Sequence, residues 1–264
     1  MIVISSKDNK IFKYVKSLQD KKARNQFFIV EGIKNIEEAA KAGASFEMLV
    51  FSEDQYKLLL KSEVISSLKT GQNVVFKPEL FSKLADTVTP QGVLAVMDQN
   101  VVRPLTKIEP DDVIVVLENL QDPGNMGTVI RTCVAAGVKK LVTIGDCVDL
   151  YSPKTVRATM GGLFHIQHRH FESSQPAISF LKENYISTYA LAPKGEKSIY
   201  DIRRWRGIAL FIGNESYGLL PETVINCDEK VNIPMPGNFE SLNAAVAASL
   251  VIYETVRSKI YSRI

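Results

Sequence analysis

Short apolar runs alternate with amphipathic stretches along most of this chain. Phe27–Val30, Phe46–Phe51, Asn73–Phe76 and Val93–Met97 have the length and the β-branched and aromatic content of strands. Between them lie helical stretches: Ile33–Ala42, opened by Gly32 and closed by Gly43, a segment from about Asp54, and Pro78–Leu84. Ahead of them, residues 8–24 space Ile11, Tyr14, Val15 and Leu18 at a helical period among lysines. The pattern predicts a small alternating α/β unit over residues 1–98.

Residues 99–112 hold Pro104 and Pro110 and little periodicity, so they read as a linker. A second alternating unit follows over 113–264. Its expected strands are Val113–Leu117, Lys140–Ile144, Thr188–Leu191, Ala209–Ile212 and Lys230–Ile233. Its expected helices are Gly127–Ala136, Pro153–Met160, Pro176–Asn184 and Ala244–Ser258. Short, wholly apolar strands alternating with helices predict an α/β fold with a mostly parallel sheet covered on both faces.

Composition changes this picture little. At 264 residues the chain is long for one domain and comfortable for two. No run of about 18 apolar residues is present, which excludes a membrane-spanning helix. The N-terminal Met1-Ile-Val-Ile-Ser-Ser-Lys-Asp8 lacks the pattern of a secretory signal. Cys133, Cys147 and Cys227 are odd in number and widely spaced, as expected of reduced thiols in a cytoplasmic protein. The net charge of +3 is too small to imply nucleic-acid binding by itself. Its distribution is more suggestive. Lys7, Lys10, Lys13, Lys16, Lys21, Lys22 and Arg24 face only Asp8 and Asp20 across residues 7–24, and Arg203-Arg204-Trp205-Arg206 form a second cluster. Taken alone, such runs read first as a solvated helix face or loop.

Several chemistries are excluded by absent motifs. There is no G-x-x-x-x-G-K-[ST], no G-x-G-x-x-G after the first strand of either unit, and no G-x-S-x-G. His165, His168 and His170 lie close together, but no local carboxylate or cysteine completes a ligand set, so no metal is expected.

What remains are three polar loops, each at the carboxyl end of an expected strand, where α/β proteins place ligands. The first is Glu118–Gly137. There Pro123-Gly124 makes a turn, Asn125 is the expected helix cap, and Arg131 stands among apolar neighbours, needing an anionic partner or a route to solvent. The second is Ile212–Leu219, where Gly213 and Gly218 permit a tight path around Glu215. Glu215 also reads as the charge at the N-terminus of a helix near Pro221. The third runs from Ile233 through a Pro/Gly turn to Ser241-Leu242-Asn243, either polar residue of which serves as a cap for the last helix.

These three loops resemble, in order and spacing, the three motifs of the SpoU-type (TrmH-like) RNA ribose 2′-O-methyltransferases of the SPOUT superfamily. Asn125-x-Gly127 through Arg131-Thr132 is similar to the first motif, and Gly213-Asn214-Glu215 through Gly218-Leu219 to the second. Ile233-Pro-Met235 followed by Ser241-Leu242-Asn243 is similar to the third. Phe28-Ile-Val-Glu-Gly32 and Thr89-Pro-Gln-Gly-Val-Leu-Ala95 resemble the small L30e-like substrate-binding domain that such enzymes often carry. Departures are small: Asn214 and Ser216 flank Glu215 where alanine and glycine are frequent, and Ala244-Ala-Val-Ala247 follows Asn243 where a valine–serine pair is common.

The resemblance implies a C-terminal domain with a deep trefoil knot, a homodimer with the site at the subunit interface, and S-adenosylmethionine held by Gly213, Ile233 and Leu242. It implies catalysis by Arg131 on a ribose 2′-hydroxyl, with Asn125, Glu215, Ser241 and Asn243 fixing Arg131 and the ribose. The implied substrate is RNA, with ribosomal (23S) RNA favoured over transfer RNA by the accessory domain. No metal and no membrane enter the scheme. A non-catalytic RNA-binding factor that keeps the fold, and a base methyltransferase, stay as alternatives.

Overall fold

The computed structural model describes residues 3–202, 206–237 and 240–261. The chain divides into two compact units, Met1–Val102 with Asp149–His165, and Arg103–Val148 with Ile166–Ile264.

The first unit opens with β1 (Val3–Ile4), α1 (Lys10–Ser17), β2 (Phe27–Glu31), α2 (Ile33–Lys41) and β3 (Phe46–Ser52). It continues with α3 (Glu53–Leu59), α4 (Glu63–Ser67), β4 (Thr70–Phe76), α5 (Pro78–Leu84) and β5 (Val93–Asp98). Its mixed sheet has the order β1-β4-β3-β5-β2. Pairing is parallel at β1–β4 and β3–β4 and antiparallel at β3–β5 and β2–β5. Helix α1 is shorter than the 8–24 pattern suggests and is capped by Asn9, whose side chain accepts from the amides of Ile11 and Phe12. Its buried face is Phe12 and Val15, continued by Leu18, while Tyr14 points outward. Phe12 wins over Tyr14 because its ring meets the edge of Phe76 in the sheet, at 5.9 Å between centroids.

Arg24 leaves the basic surface that the sequence suggests. Its guanidinium is buried, 2.8 Å from Asp149, and donates to the carbonyls of Leu18 and Gln19. Arg203, Arg204 and Trp205 of the second cluster lie outside the described residues.

The second unit contains β6 (Arg103–Pro104), β7 (Val113–Glu118), α6 (Pro123–Ala135) and β8 (Lys140–Ile144). Helix α7 (Pro153–Ala158), next in the chain, packs with the first unit, where Tyr151 also stacks on Phe28 at 5.0 Å. The second unit resumes with β9 (Gln167–Phe171), α8 (Ser174–Glu183), β10 (Ser187–Leu191), β11 (Lys197–Ser198), β12 (Ile208–Ile212), α9 (Pro221–Asn226), β13 (Glu229–Asn232) and α10 (Ala244–Tyr261). Strand order is β11-β13-β10-β12-β7-β8-β9-β6, and every pairing is parallel. Strands β7 and β12 are buried along their whole length, as central strands covered on both faces must be. From β7 the chain winds outward through β8 and β9; beyond β12 it winds to the other side. The carboxyl ends of β7 and β12 therefore mark the topological switch, where open α/β sheets leave a crevice.

Two stretches differ from the apolar-run expectation. The linker contributes β6, which pairs with β9, and buries Leu105 and Ile108 in the core of the second unit. Strand β9, Gln-His-Arg-His-Phe, is too polar to read as an apolar run. It is held instead by ladder bonds and by Thr143, whose hydroxyl lies 2.8 Å from His168 Nε2 and 3.1 Å from His170 Nδ1.

Burial, reinforced by the neighbouring His170, pulls His168 from 6.5 down to about 4. The folded protein keeps this imidazole neutral where the unfolded chain takes up a proton. Stability is therefore expected to fall as pH drops from 6.5 towards 4, and thermal melts across that range should show it. A His168→Gln variant should flatten the slope, and an unchanged slope would assign it to other groups.

Candidate active site

The three polar loops leave β7, β12 and β13 at their carboxyl ends. Behind β7, the helix cap is Asp122, not Asn125. The Asp122 carboxylate accepts the Asn125 amide at 2.8 Å, and Pro123 takes the first helical position. Proline begins the helix itself, so α6 starts before the place where Asn125 looks like a cap. Asn125 thus falls inside the first turn, and its side chain is turned toward the other loops.

That side chain joins all three loops. Asn125 Nδ2 donates to Glu215 Oε1 at 2.9 Å, and Asn243 Nδ2 donates to Asn125 Oδ1 at 3.0 Å. Asn243 Oδ1 accepts the amides of Ala245 and Val246 at 2.9 and 3.2 Å, capping α10. The chain of bonds has a fixed direction. Backbone amides only donate, so Asn243 must turn its oxygen to them and its NH₂ to Asn125. Asn125 must then turn its own NH₂ to a carboxylate that only accepts.

Glu215 also receives the Asp122 and Gln121 amides at 3.2 and 3.4 Å, which places its charge at the N-terminus of α6. Burial raises its pKa, but the hydrogen bonds from Asn125 and the backbone amides outweigh this and hold the carboxyl below the usual glutamate value. The helix near Pro221 is served by a different residue. Glu118, buried at the end of β7, accepts the Leu220 amide at 2.8 Å and the Thr223 hydroxyl at 2.5 Å. It thereby ties the first loop to the second. A glutamate closing a wholly apolar strand was the only sequence signal for that role.

Beside this network lies a cavity of about 340 Å³. Gly213, Ile233 and Leu242, the expected cofactor residues, line it with Glu215 and Ser241. Leu191, the last residue of β10, and Ala192-Pro193 beyond it line it too; nothing in the sequence marked them. Gly213 is irreplaceable in this wall: a Cβ there would stand 2.1 Å from the Gly218 carbonyl carbon and 2.2 Å from the Leu219 nitrogen. Asn214 and Gly218 close the loop with reciprocal backbone bonds of 3.0 Å, and Asn214 Nδ2 anchors it to the Asn119 carbonyl at 2.8 Å.

The lining mixes apolar residues with Asn214, Ser216, Tyr217, Ser241 and two carboxylates, Glu215 and Glu240, and holds no Lys, Arg or His among the described residues. Such a wall suits a cationic ligand with a flat apolar part, and its volume lies at the lower end of the range for small-molecule sites.

Of the remaining expected residues, Ser241 is exposed on the cavity wall, outside the amide network. Arg131 is exposed on α6, six residues past Asn125, so it projects about 240° around the helix axis and about 9 Å along it. It makes no hydrogen bond or ion pair among the described residues. Its route is to solvent, not to a partner within the unit.

A parallel sheet with a cavity at its switch point, and a directed amide–carboxylate chain beside it, defines an α/β protein with room for a small ligand next to a polar network. Comparison with known proteins gives the particular family. Residues 112–253 match the SpoU rRNA Methylase family, and the chain belongs to it. Residues 9–95 match the MRM3-like substrate binding domain. The chain is 32% identical to the Bacillus subtilis 23S rRNA (guanosine(2553)-2′-O)-methyltransferase RlmP, over 95% of this chain and 97% of that one. Its fold is similar to the SpoU methyltransferase AviRb of Streptomyces viridochromogenes in complex with AdoMet, with a TM-score of 0.86 at 26% identity, covering 96% and 99% of the two chains. It is similar also to the AdoMet-bound rRNA methyltransferase of Sinorhizobium meliloti, with a TM-score of 0.83 at 28% identity, covering 97% of each chain.

Proposed function

We propose that this protein is an S-adenosylmethionine-dependent methyltransferase that modifies a ribose 2′-hydroxyl in RNA, with 23S ribosomal RNA as the substrate. The observation that carries this reading is the Asn243–Asn125–Glu215 chain standing beside the cavity that Gly213, Ile233 and Leu242 line.

Bound S-adenosylmethionine supplies an electrophilic methyl group on a sulfonium. The protein's task is to present the acceptor oxygen in line with it, and orientation of that kind supplies a large part of catalysis in displacement reactions. The lining described above fits this cofactor: Leu191, Ile233 and Leu242 offer apolar contact to its flat part, and Glu215 and Glu240 favour its positive charge. Asn125, fixed at both ends of its amide, and Ser241 on the wall hold the ribose. Arg131 recognises the RNA phosphate beside the ribose and stabilises negative charge developing on the 2′-oxygen. An always-charged, forked guanidinium suits that work.

Arg131 needs more than its own subunit to meet the cavity, which supports a homodimer. Val246, Leu250 and Tyr253 leave an apolar strip of α10 exposed, and Thr128 of α6 borders the same hollow. The fold likeness to AdoMet-bound relatives supports a trefoil knot in the 113–264 domain, with α10 as the threaded segment. The 1–98 domain is the RNA-holding part. Its α1 lysines support that role, as does the crowding of Lys7 against Lys83, which pulls the Lys83 pKa down. The proposed place of work is the cytoplasm, a reading that the three free cysteine thiols support.

The test is transfer of label from S-adenosylmethionine to in-vitro-transcribed 23S rRNA, with modified positions mapped by their resistance to alkaline cleavage. One or a few 2′-O-methyl sites are expected. RNA binding without cofactor binding in calorimetry, and no label on any RNA, would establish a non-catalytic binding factor instead.

A further inference from the structure

The loop that carries Glu215 also carries Tyr217, a side chain that the catalytic scheme leaves unused. It is 59% exposed, yet it lines the cofactor cavity. Among the described residues it is the only aromatic side chain that does so.

Its backbone is firmly set. Asn214 and Gly218 pair in both directions, the Ser216 amide donates to Asn214 Oδ1 at 2.8 Å, and Gly218 takes a left-handed φ of +73° to close the turn. Gly213 is packed against the far side of the same turn too closely for any side chain. The ring is thus an exposed aromatic surface on a rigid mount, two residues from the carboxylate that holds Asn125.

RNA loops and single strands present unstacked bases that proteins receive on aromatic side chains, and a target nucleotide of that kind, entering with its ribose at the cavity, needs a stacking surface for its base. We propose that Tyr217 supplies it: its ring stacks on the base of the target nucleotide and so holds an unstacked nucleotide with its ribose at the cavity. This makes Tyr217 a substrate-binding residue of the reaction proposed above, and the inference rests on that reading. A ring reads any base by its face, so Tyr217 contributes affinity for an unstacked nucleotide and leaves base identity to other groups.

Three variants test this: Tyr217→Ala, Tyr217→Leu and Tyr217→Phe. Methylation of in-vitro-transcribed 23S rRNA gives kcat/KM, and calorimetry gives S-adenosylmethionine affinity. Ala and Leu are expected to lose about 5- to 150-fold in kcat/KM for RNA, the span of base–aromatic stacking, mostly through KM. Phe should stay close to wild type, and cofactor affinity should be unchanged in all three. Wild-type kcat/KM in the Ala or Leu variant would overturn the proposal, as would a loss matched by weaker cofactor binding, which would make Tyr217 a cofactor contact. Wild-type protein that labels no RNA would overturn the ribose-methylation reading itself, and Tyr217's role with it.

Discussion

Replacing Arg131 with alanine is expected to lower methyl transfer by about 10²–10³-fold, the cost of removing one donor that stabilises developing oxyanion charge. Folding and cofactor affinity should be untouched. Arg131 is exposed, makes no bond within its unit among the described residues, and does not line the cavity. Its truncation removes no packed atom and leaves no buried group unpaired, so the melting temperature should not move. Arg131→Lys should rescue little, because an ammonium cannot present two parallel donors to a phosphate. The measurements are single-turnover methylation of 23S rRNA, calorimetry with S-adenosylmethionine, and a thermal melt. A variant as active as wild type would remove Arg131 from the mechanism and leave the Asn243–Asn125–Glu215 chain to carry it.

The second large effect is expected at Gly213. Even alanine there meets backbone: the Gly218 carbonyl carbon at 2.1 Å, the Leu219 nitrogen at 2.2 Å and the Gly218 oxygen at 2.3 Å. No rotamer change relieves a clash with main chain, so the 213–218 turn must open. Opening it breaks the Asn214–Gly218 pair and moves Glu215 away from Asn125. Gly213→Ala should therefore weaken S-adenosylmethionine binding by about 100-fold or more and cost about 1–3 kcal/mol of stability, the usual price of overpacking. Gly237→Ala is the matched control, because a Cβ there meets nothing within 4 Å. Calorimetry and melts on both variants decide the matter. Equal cofactor affinity in Gly213→Ala and wild type would show that the turn is not part of the cofactor wall.

Much of the fold is legible in the sequence because a parallel sheet buries its strands on both faces. Ile208–Ile212 and Val113–Leu117 are unbroken apolar runs for that reason, and both are central strands. Strand β9 escapes the same reading because it lies toward the sheet's edge, where histidine and arginine are tolerated once Thr143 and the Phe171 and Phe180 rings receive them. In α1 the period is correct, but the buried face is set by Phe12 against Phe76, a contact that spacing alone does not reveal.

The candidate site divides in the same way. Residue types and chain order marked Asn125, Arg131, Gly213, Glu215, Ser241 and Asn243 as candidates, because loops at strand ends carry polar groups that no sheet or helix needs, whereas Ile233 and Leu242 entered only through the family resemblance. Glu118 stayed hidden, since only its burial and its bonds to Leu220 and Thr223, 102 and 105 residues on, show that it fastens two loops. Arg24 was misplaced on a basic surface for a matching reason: its partner Asp149 is 125 residues away.

By itself, then, the sequence determined the alternation of strand and helix, the three loops and the chemical types they hold, because periodicity and composition act locally. Tertiary structure alone decided which groups meet. Asn125 finds Glu215 90 residues away and Asn243 118 residues away, and the direction of each bond follows from which neighbour can only donate or only accept. Hydrogen bonds and close packing are formed between places in space, and the parallel crossovers that bring β7 and β12 side by side are what make these distant residues neighbours.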